Sequence, residues 1–511
     1  MCVSIFLLWL VSIPLLAHSQ PAPRGYLIDC GASNETQQGS LKYIPDDGFI
    51  AVGNKTTVKD PDVSLPLSTL RYFPDKSARK YCYVIPTIKG GRYLLRTTFY
   101  YGGFDGGTTP PVFDQIVDGM IWSTVDTAED YAQGLSSFYE IFVAARGKTI
   151  SVCLARNERT ASDPFISTVE LMYADDSVYN GTDFQRYALA TIARATFGDA
   201  PDSIGYPDDV LNRLWQPFKT ADPVVTSHSQ VDPLDFWNTP PKAAFAEAIT
   251  TSRGKSLSLK WPPLSLPESL YYVSLYFQDN RSPSPYSWRT FNVSINGKNF
   301  YSYVNTTAKG VTIYSAMWPL SGETEINMVP EADSPVGPLI NAGEVLQLLP
   351  LGSKTVTRDV IAMEDLARSF NNPPSDWSGD PCLPENHSWT GVKCSQGNVT
   401  RIVSLNLTNA GISGSLPSSI SDLTALSELW LGGNSLSGKI PEMGTLKELQ
   451  TLHLEGNQFE GRIPKSLGEL AMLKEIFLQN NKLNGKIPDS LRNKNGINLQ
   501  VSPGNNLSES R

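Results

Sequence analysis

Two tandem all-β sandwiches followed by a short α/β solenoid, in a multidomain chain, is the fold class this sequence predicts, and three observations predict it. Between Ile402 and Leu491 the chain repeats itself four times at a spacing of 23 to 24 residues, with copies reading LSELWLGGNSLSGKIP from Leu426, LQTLHLEGNQFEGRIP from Leu449 and LKEIFLQNNKLNGKIP from Leu473. Self-similarity at that period marks stacked coils. From Gly25 to about residue 350 the chain changes to short runs rich in Val, Ile, Tyr, Phe and Thr, broken by Gly, Pro, Asn and Asp, which read as antiparallel strands. A segment rich in Asp and Pro, from Gly198 through Pro207, divides that region into parts of similar size.

The elements follow in chain order. Residues Val3 to Leu16 are almost wholly apolar, and Ala17-His18-Ser19 places small residues where a signal peptidase cuts, so residues 1–19 read as a signal peptide. Residues 24–200 form the first sandwich, with strand runs YLLRTTFYYG from Tyr93, FYEIFVAA from Phe138 and TISVCLA from Thr149. Residues 205–352 form the second, with YYVSLYFQD from Tyr271 and TFNVSING from Thr290. Residues 355–400 hold a helix and a cap. The helix runs from Thr357 to Phe370 with Val360, Met363, Ala367 and Phe370 on one face and Asp359, Glu364 and Asp365 outside it, and Asn371-NPPSDWSGDPC ends it. Residues 401–500 are the four repeats and 501–511 a polar tail.

Within each repeat, leucines at the first, fourth and sixth positions anchor a short strand. Asn434, Asn457 and Asn481 then satisfy backbone groups left open at each turn. The first repeat carries Ala410 at that position, so the asparagine ladder begins at the second.

Compartment follows from modification signals. Ten Asn-x-Ser/Thr sequons begin at Asn34, Asn54, Asn180, Asn280, Asn292, Asn305, Asn386, Asn398, Asn406 and Asn506. That density fits a secreted, extracellular glycoprotein. No later run is long and apolar enough to span a membrane. Without its signal the chain keeps five of six cysteines. Cys382 and Cys394, twelve residues apart, make a candidate disulfide, and Cys30, Cys82 and Cys153 are expected to yield one pair and one buried free thiol.

A net charge of −9 with only four histidines offers no basic face for nucleic acid and little material for a metal site. No catalytic constellation, cofactor motif or kinase signature is present, so the chain is read as a binding protein and not an enzyme.

The trailing Leu/Phe-x-Gly-x-Ile-Pro of each repeat is similar to plant extracellular leucine-rich repeats. Both halves of the β-rich region resemble malectin-like domains. The residues that carry this are LIDCGAS from Leu27, LRYFPD from Leu70, YCYVIPT from Tyr81, FYYGGFDG from Phe99, VCLARN from Val152 and PFISTVEL from Pro164, with YPDDVLNRLW from Tyr206, PPKAAFAEAIT from Pro240 and PLINAGEVLQL from Pro338 in the second half. Gly379-Asp380-Pro381-Cys382 resembles the junction motif that joins malectin-like domains to repeats in the symbiosis-receptor-like branch of plant receptor kinases. With Trp389-TGVKC it is expected to cap the first repeat against water. The resemblance implies the ectodomain of a receptor-like kinase or receptor-like protein, with a membrane span and kinase following the repeats in full-length relatives. At the plasma membrane or in the apoplast it would bind an extracellular peptide, protein or cell-wall oligosaccharide, with a co-receptor.

Side chains between the leucines of each strand point to the concave side. Alignment puts Asn406, Trp430, His453 and Phe477 in one column, flanked by Ser404, Glu428, Thr451 and Glu475, and on the other side by Thr408, Gly432, Glu455 and Gln479. Trp430, His453, Phe477, Glu428, Glu455 and Gln479 are the candidate partner contacts, because large aromatics held open on rigid strands are a binding feature. A glycan on Asn406 would shorten this face.

A second candidate is a sugar site at Tyr100, Tyr101, Phe104 and Asp105, where rings would stack on sugar faces and the carboxylate would accept from hydroxyls, as animal malectin binds a glucosylated glycan. The competing functions are therefore a cell-wall carbohydrate-binding protein, or an inhibitor of a microbial wall-degrading enzyme that inserts Trp430 and Phe477 into a cleft.

Overall fold

The structure, a computed structural model, describes residues 25–508; the expected signal peptide and the last residues of the tail lie outside them. None of the described helices is long and apolar enough to cross a membrane.

The β-rich region is organised on one 11-stranded sheet. Strands Gly25–Asp29, Thr168–Ala174, Arg92–Phe99 and Ser137–Ala144 of the first half lead to Tyr187–Phe197, which pairs antiparallel with Ala342–Pro350, and the order continues through Leu266–Phe277 to Val311–Gly322. The expected boundary at residues 200–205 therefore does not divide the sheet. A ladder between Tyr187 and Pro350 at one end and Thr196 and Ala342 at the other carries it across both halves.

Each half lays a four-stranded sheet over its share of the long one. In the first, Leu95, Phe99, Ile141 and Val169 pack with Tyr83, Ile85, Val152 and Leu154. In the second, Tyr271, Val273, Leu275 and Val345 pack with Leu257, Phe291, Val293 and Met328. The alternation in YYVSLYF from Tyr271 is the cause, since the period of two sends Tyr272 and Tyr276 to the opposite face.

On that opposite face the halves are joined by buried charge. Arg194 donates to Glu140, and its Nε lies 2.7 Å from Glu344. Arg96 bridges Glu140 (2.6 Å) and Glu170 (2.8 Å). Tyr179 and Tyr276 donate their hydroxyls to Glu344 at 2.5 and 2.6 Å. Burial alone would raise the carboxyls of Glu140 and Glu344, but Arg194 with Arg96 or Arg213 holds both below the ordinary value. The segment after the expected linker closes this network, with Asp209, Asn212, Arg213 and Trp215 all buried.

In the repeats, strands Ile402–Asn406, Glu428–Trp430, Thr451–His453, Glu475–Phe477 and Asn498–Gln500 pair in parallel, and Val392–Cys394 of the cap pairs antiparallel with the first. A second parallel sheet of five short strands lies on the other side of the coils. The ladder runs as expected from Asn434. Asn457 accepts from Leu436 N at 3.0 Å and donates to Leu431 O at 2.9 Å, and Asn481 repeats this with Phe459 N (2.9 Å) and Leu454 O (2.9 Å).

The polar tail is corrected. Asn505 accepts from Leu483 N at 2.9 Å and donates to Leu478 O at 2.8 Å, so residues 498–508 form one more turn of the coil. The helix Thr357–Ser369 buries Ala362, Met363 and Leu366, and its Asp359, expected outside, is also buried. That carboxylate accepts from Ile402 N at 3.0 Å and pairs with Arg401 at 2.9 Å, tying the helix to the first repeat strand.

The Gly379–Cys382 motif caps the coil and also docks on the first half. Cys382 is bonded to Cys394 as expected, while Cys82 pairs with Cys153 across facing strands and leaves Cys30 as the buried free thiol. Gly379 has φ +71° and sits on the second bridge, where an added Cβ would come 2.9 Å from Cys82 Sγ and 3.3 Å from Cys153 Sγ. Lys80 is fully buried and donates to Asp380 O (2.5 Å) and Leu383 O (2.6 Å). Burial drives its ammonium down to about 8 against the pull of Asp380 and Asp376. Arg79 N donates to Asp376 (3.1 Å) and Ser375 to Asp75 (2.5 Å), while Trp377 and Trp389 stack beneath at 5.3 Å.

Candidate partner-binding face

In-register pairing of the parallel strands places Trp430 opposite His453 and His453 opposite Phe477. Their rings form a stacked column, with centroids 4.0 Å apart between Trp430 and His453 and 4.2 Å between His453 and Phe477. The aromatics were expected to stand open. Stacking leaves Trp430 and Phe477 half-buried and His453 only 6% exposed, so the column offers its outer edges and end faces.

Carboxylates flank the column on both sides. Ser404 donates to Glu428 at 3.0 Å, and Asn498 of the added strand donates to Glu475 at 2.9 Å. Glu455 lies 3.7 Å from one ring nitrogen of His453, and Glu475 lies 3.4 Å from the other. Gly432 makes room for Glu455, since a Cβ there would meet its Oε1 at 2.3 Å. Gln479 is half-buried beside them. Glu475 belongs to the site although it stood only in the flanking column. Asn498 was not anticipated: it keeps the spacing, 23 residues after Glu475, but its coil carries Gly496 and Val501 where the earlier ones have leucine.

The sugar candidate is corrected. Tyr100 and Tyr101 are 5% and 1% exposed, and Tyr101 packs on Phe165 and Phe104 inside the core. Tyr100 donates to Asp60, which pushes its hydroxyl up to about 12, and Tyr101 donates to Asp105, whose second task is to accept from Gly107 N at 2.9 Å. No ring face of the tyrosine pair remains for a sugar; Phe104 is half-buried, and the exposed Asp105 engages one oxygen, Oδ1, within its own turn.

Of the sequon asparagines, Asn34, Asn54, Asn180, Asn305, Asn386, Asn398, Asn406 and Asn506 are exposed. Asn280 and Asn292 are half-buried. Asn280 accepts from Arg289 at 2.9 Å, and Asn292 spends its amide nitrogen on Glu331 at 2.5 Å. Asn406 stands on the first repeat strand, at the edge of the aromatic column.

The model of the malectin-like domain matches residues 28–348, and that of the leucine-rich repeat matches residues 448–470 and 472–494. The chain belongs to the malectin-like family. Among relatives, a probable LRR receptor-like serine/threonine-protein kinase of Arabidopsis thaliana, At1g51810, is 31% identical over 445 residues, covering 83% of this chain and 49% of the relative. A second from the same plant, At1g67720, is 32% identical over 459 residues, covering 82% and 46%. The chain thus spans about half the length of the curated relatives it matches. The malectin-like region shares its fold with the ANX2 ectodomain of Arabidopsis thaliana, at TM-score 0.53 and 17% identity over 64% of this chain and 97% of that one. It is similar also to the structure described as plant peptide RALF23 in complex with FER and LLG2, at TM-score 0.52 and 17% identity over 64% and 96%.

Proposed function

We propose that this malectin-like, leucine-rich-repeat chain is the extracellular recognition part of a receptor-like kinase or receptor-like protein, that it binds a peptide or protein partner, and that any signal passes through a kinase outside this sequence. The observation that carries the reading is the Trp430–His453–Phe477 column, three aromatic rings held on paired strands and ringed by carboxylates. Rigid aromatics on a preorganised surface cost little entropy to bury and dominate binding energy where they occur. In this reading two sandwich units fused on one sheet hold a short solenoid, whose few coils suit a short ligand segment or a co-receptor. A protein of the malectin-like fold is described in complex with a peptide and a further protein, so partners of that class are compatible with the fold. The carbohydrate alternative loses support with the burial of Tyr100 and Tyr101.

The test is capture of extracellular-fluid peptides and proteins on the immobilised full-length secreted chain, compared with the Trp430→Ala/Phe477→Ala double variant. A specific partner whose recovery falls at least about tenfold on the double variant supports the face. Undiminished capture by a folded double variant refutes it.

A further inference from the structure

We infer that the concave face is built to hold a cationic side chain, the guanidinium of an arginine in a peptide partner, against Glu455 and the aromatic column. The inference rests on the partner-binding reading and assigns its ligand chemistry.

Charge selects a cation. Glu428, Glu455 and Glu475 line the face, and the outward columns of the five strands contain no Lys or Arg. Lys474, which precedes the column, reaches instead toward Gln450 at 3.5 Å. The cap strand of the same sheet carries Lys393 beside Ser404, at the far edge from Glu455 and Glu475, so the three carboxylates still outnumber the cations.

Hydrogen bonding selects a donor. Glu455 Oε2 and Gln479 Oε1 are buried acceptors with no partner in the structure, and His453, 6% exposed, has an unpartnered Nε2 between them and Glu475. A buried acceptor without a partner is costly, so Glu455 Oε2 and Gln479 Oε1 on one face favour a ligand that brings N–H donors. Among the described residues no group of three or more His, Cys, Asp and Glu is disposed to hold a metal ion.

Shape selects arginine over lysine. A guanidinium is planar, sheds water more readily than an ammonium, lies flat on aromatic rings and grips a carboxylate with two parallel bonds. Stacking on His453 leaves Trp430 and Phe477 each one outer ring face for such a group. Gly432 admits the Glu455 carboxylate to the same level, because any side chain at residue 432 would displace it.

The probe is acetyl-Gly-Arg-Gly amide, titrated to about 10 mM against the full chain and followed by saturation-transfer NMR. Its neutral isostere, with citrulline for arginine, is the control. Saturable binding of the arginine peptide, at least about tenfold weaker for citrulline and equally weakened by Glu455→Gln, is the expected result. Equal binding of the two peptides, no saturable binding of the arginine peptide, or indifference to Glu455→Gln overturns the assignment. Thermal unfolding of E455Q is measured alongside, and Glu475→Gln serves if E455Q fails to fold. Partner capture separates the two levels of the argument. Capture that depends on Trp430 and not on Glu455 leaves the face as a binding surface and removes its cationic ligand, whereas capture that survives loss of both removes the face itself.

Discussion

Gly379→Ala is expected to loosen the joint between the repeats and the β-rich region while leaving both folded. Two costs add. The residue has φ +71°, where an L side chain pays about 1–2 kcal/mol. The new methyl would also lie 2.9 Å from Cys82 Sγ. That sulfur cannot yield easily, because the Cys82–Cys153 bridge is pinned between two paired strands, so overpacking adds about 1–3 kcal/mol. The sum, about 2–5 kcal/mol, falls on local opening of the junction, and with 1.36 kcal/mol per decade it speeds amide exchange there by about thirtyfold or more.

Hydrogen-exchange mass spectrometry reads this directly. Peptides covering residues 78–86 and 376–394, on the two sides of the contact, should both exchange faster, and peptides from the Asn457 and Asn481 turns should not. In a Cys82→Ala/Cys153→Ala background the methyl has space, and the added effect of Gly379→Ala should shrink to the backbone cost alone. Exchange within about twofold of wild type on the 78–86 side would refute the docking of the motif on the bridge.

Three further outcomes are expected. Asn481→Ala strands Leu454 O and Phe459 N in the core and should cost about 2–4 kcal/mol by urea denaturation followed in the repeats. Arg194→Met leaves Glu140 and Glu344 buried without their shared cation and should cost about 3–5 kcal/mol in the β-rich region, read by the same method. Asp29, buried and accepting from Thr36 and Thr69, has its carboxyl raised by burial from 3.8 to about 6. A raised carboxyl contributes stability that is full below 3.8 and lost as pH rises through 6, because the unfolded chain releases the proton first. Asp29→Asn should therefore abolish a decline of about 2 kcal/mol between pH 4 and 6, seen as a difference from wild type in denaturation midpoints.

What the sequence made legible depends on the range of the signal. The coils were readable because each repeat carries its own anchors, Leu426, Leu429 and Leu431 for example, all fully buried. Asn505 kept the ladder's spacing, 24 residues after Asn481, but escaped because its coil lacks the leucines at the first and sixth positions and the trailing Gly-x-Ile-Pro. The helix was readable from its period, but of the expected face only Met363 and Phe370 are buried; Ala362 and Leu366 take the places of Val360 and Ala367, and Asp359 is drawn in by Ile402 N, 43 residues on. Strand alternation shows that two faces differ without showing which is covered, so the aromatic cluster at Tyr100 and Tyr101 could be read as a surface when it is core. The pairing of Tyr187–Phe197 with Ala342–Pro350, and the docking of Lys80 on residues 300 or more positions away, have no local signature at all.

The two joints that these long-range contacts create are of unequal strength, and the inequality decides how the concave face can move. Between the halves of the β-rich region, a continuous backbone ladder is backed by Arg194, whose side chain is fully buried with both of its carboxylate partners. Separating the halves would break the backbone ladder of the sheet they share along with the ion pairs behind it, so it opens only with the fold. Between the first half and the cap, the polar contacts are single side-chain hydrogen bonds to backbone or to other side chains, and that of Ser375 with Asp75 is exposed. Water can replace these at small cost, as at other polar domain interfaces. Lys80 even gains hydration on release, since burial holds its ammonium down to about 8. The junction is therefore expected to be the weaker joint, with amides of residues 376–394 exchanging at lower free energy than those of Tyr187–Phe197, and equal protection of the two segments would show that the chain moves as a single body.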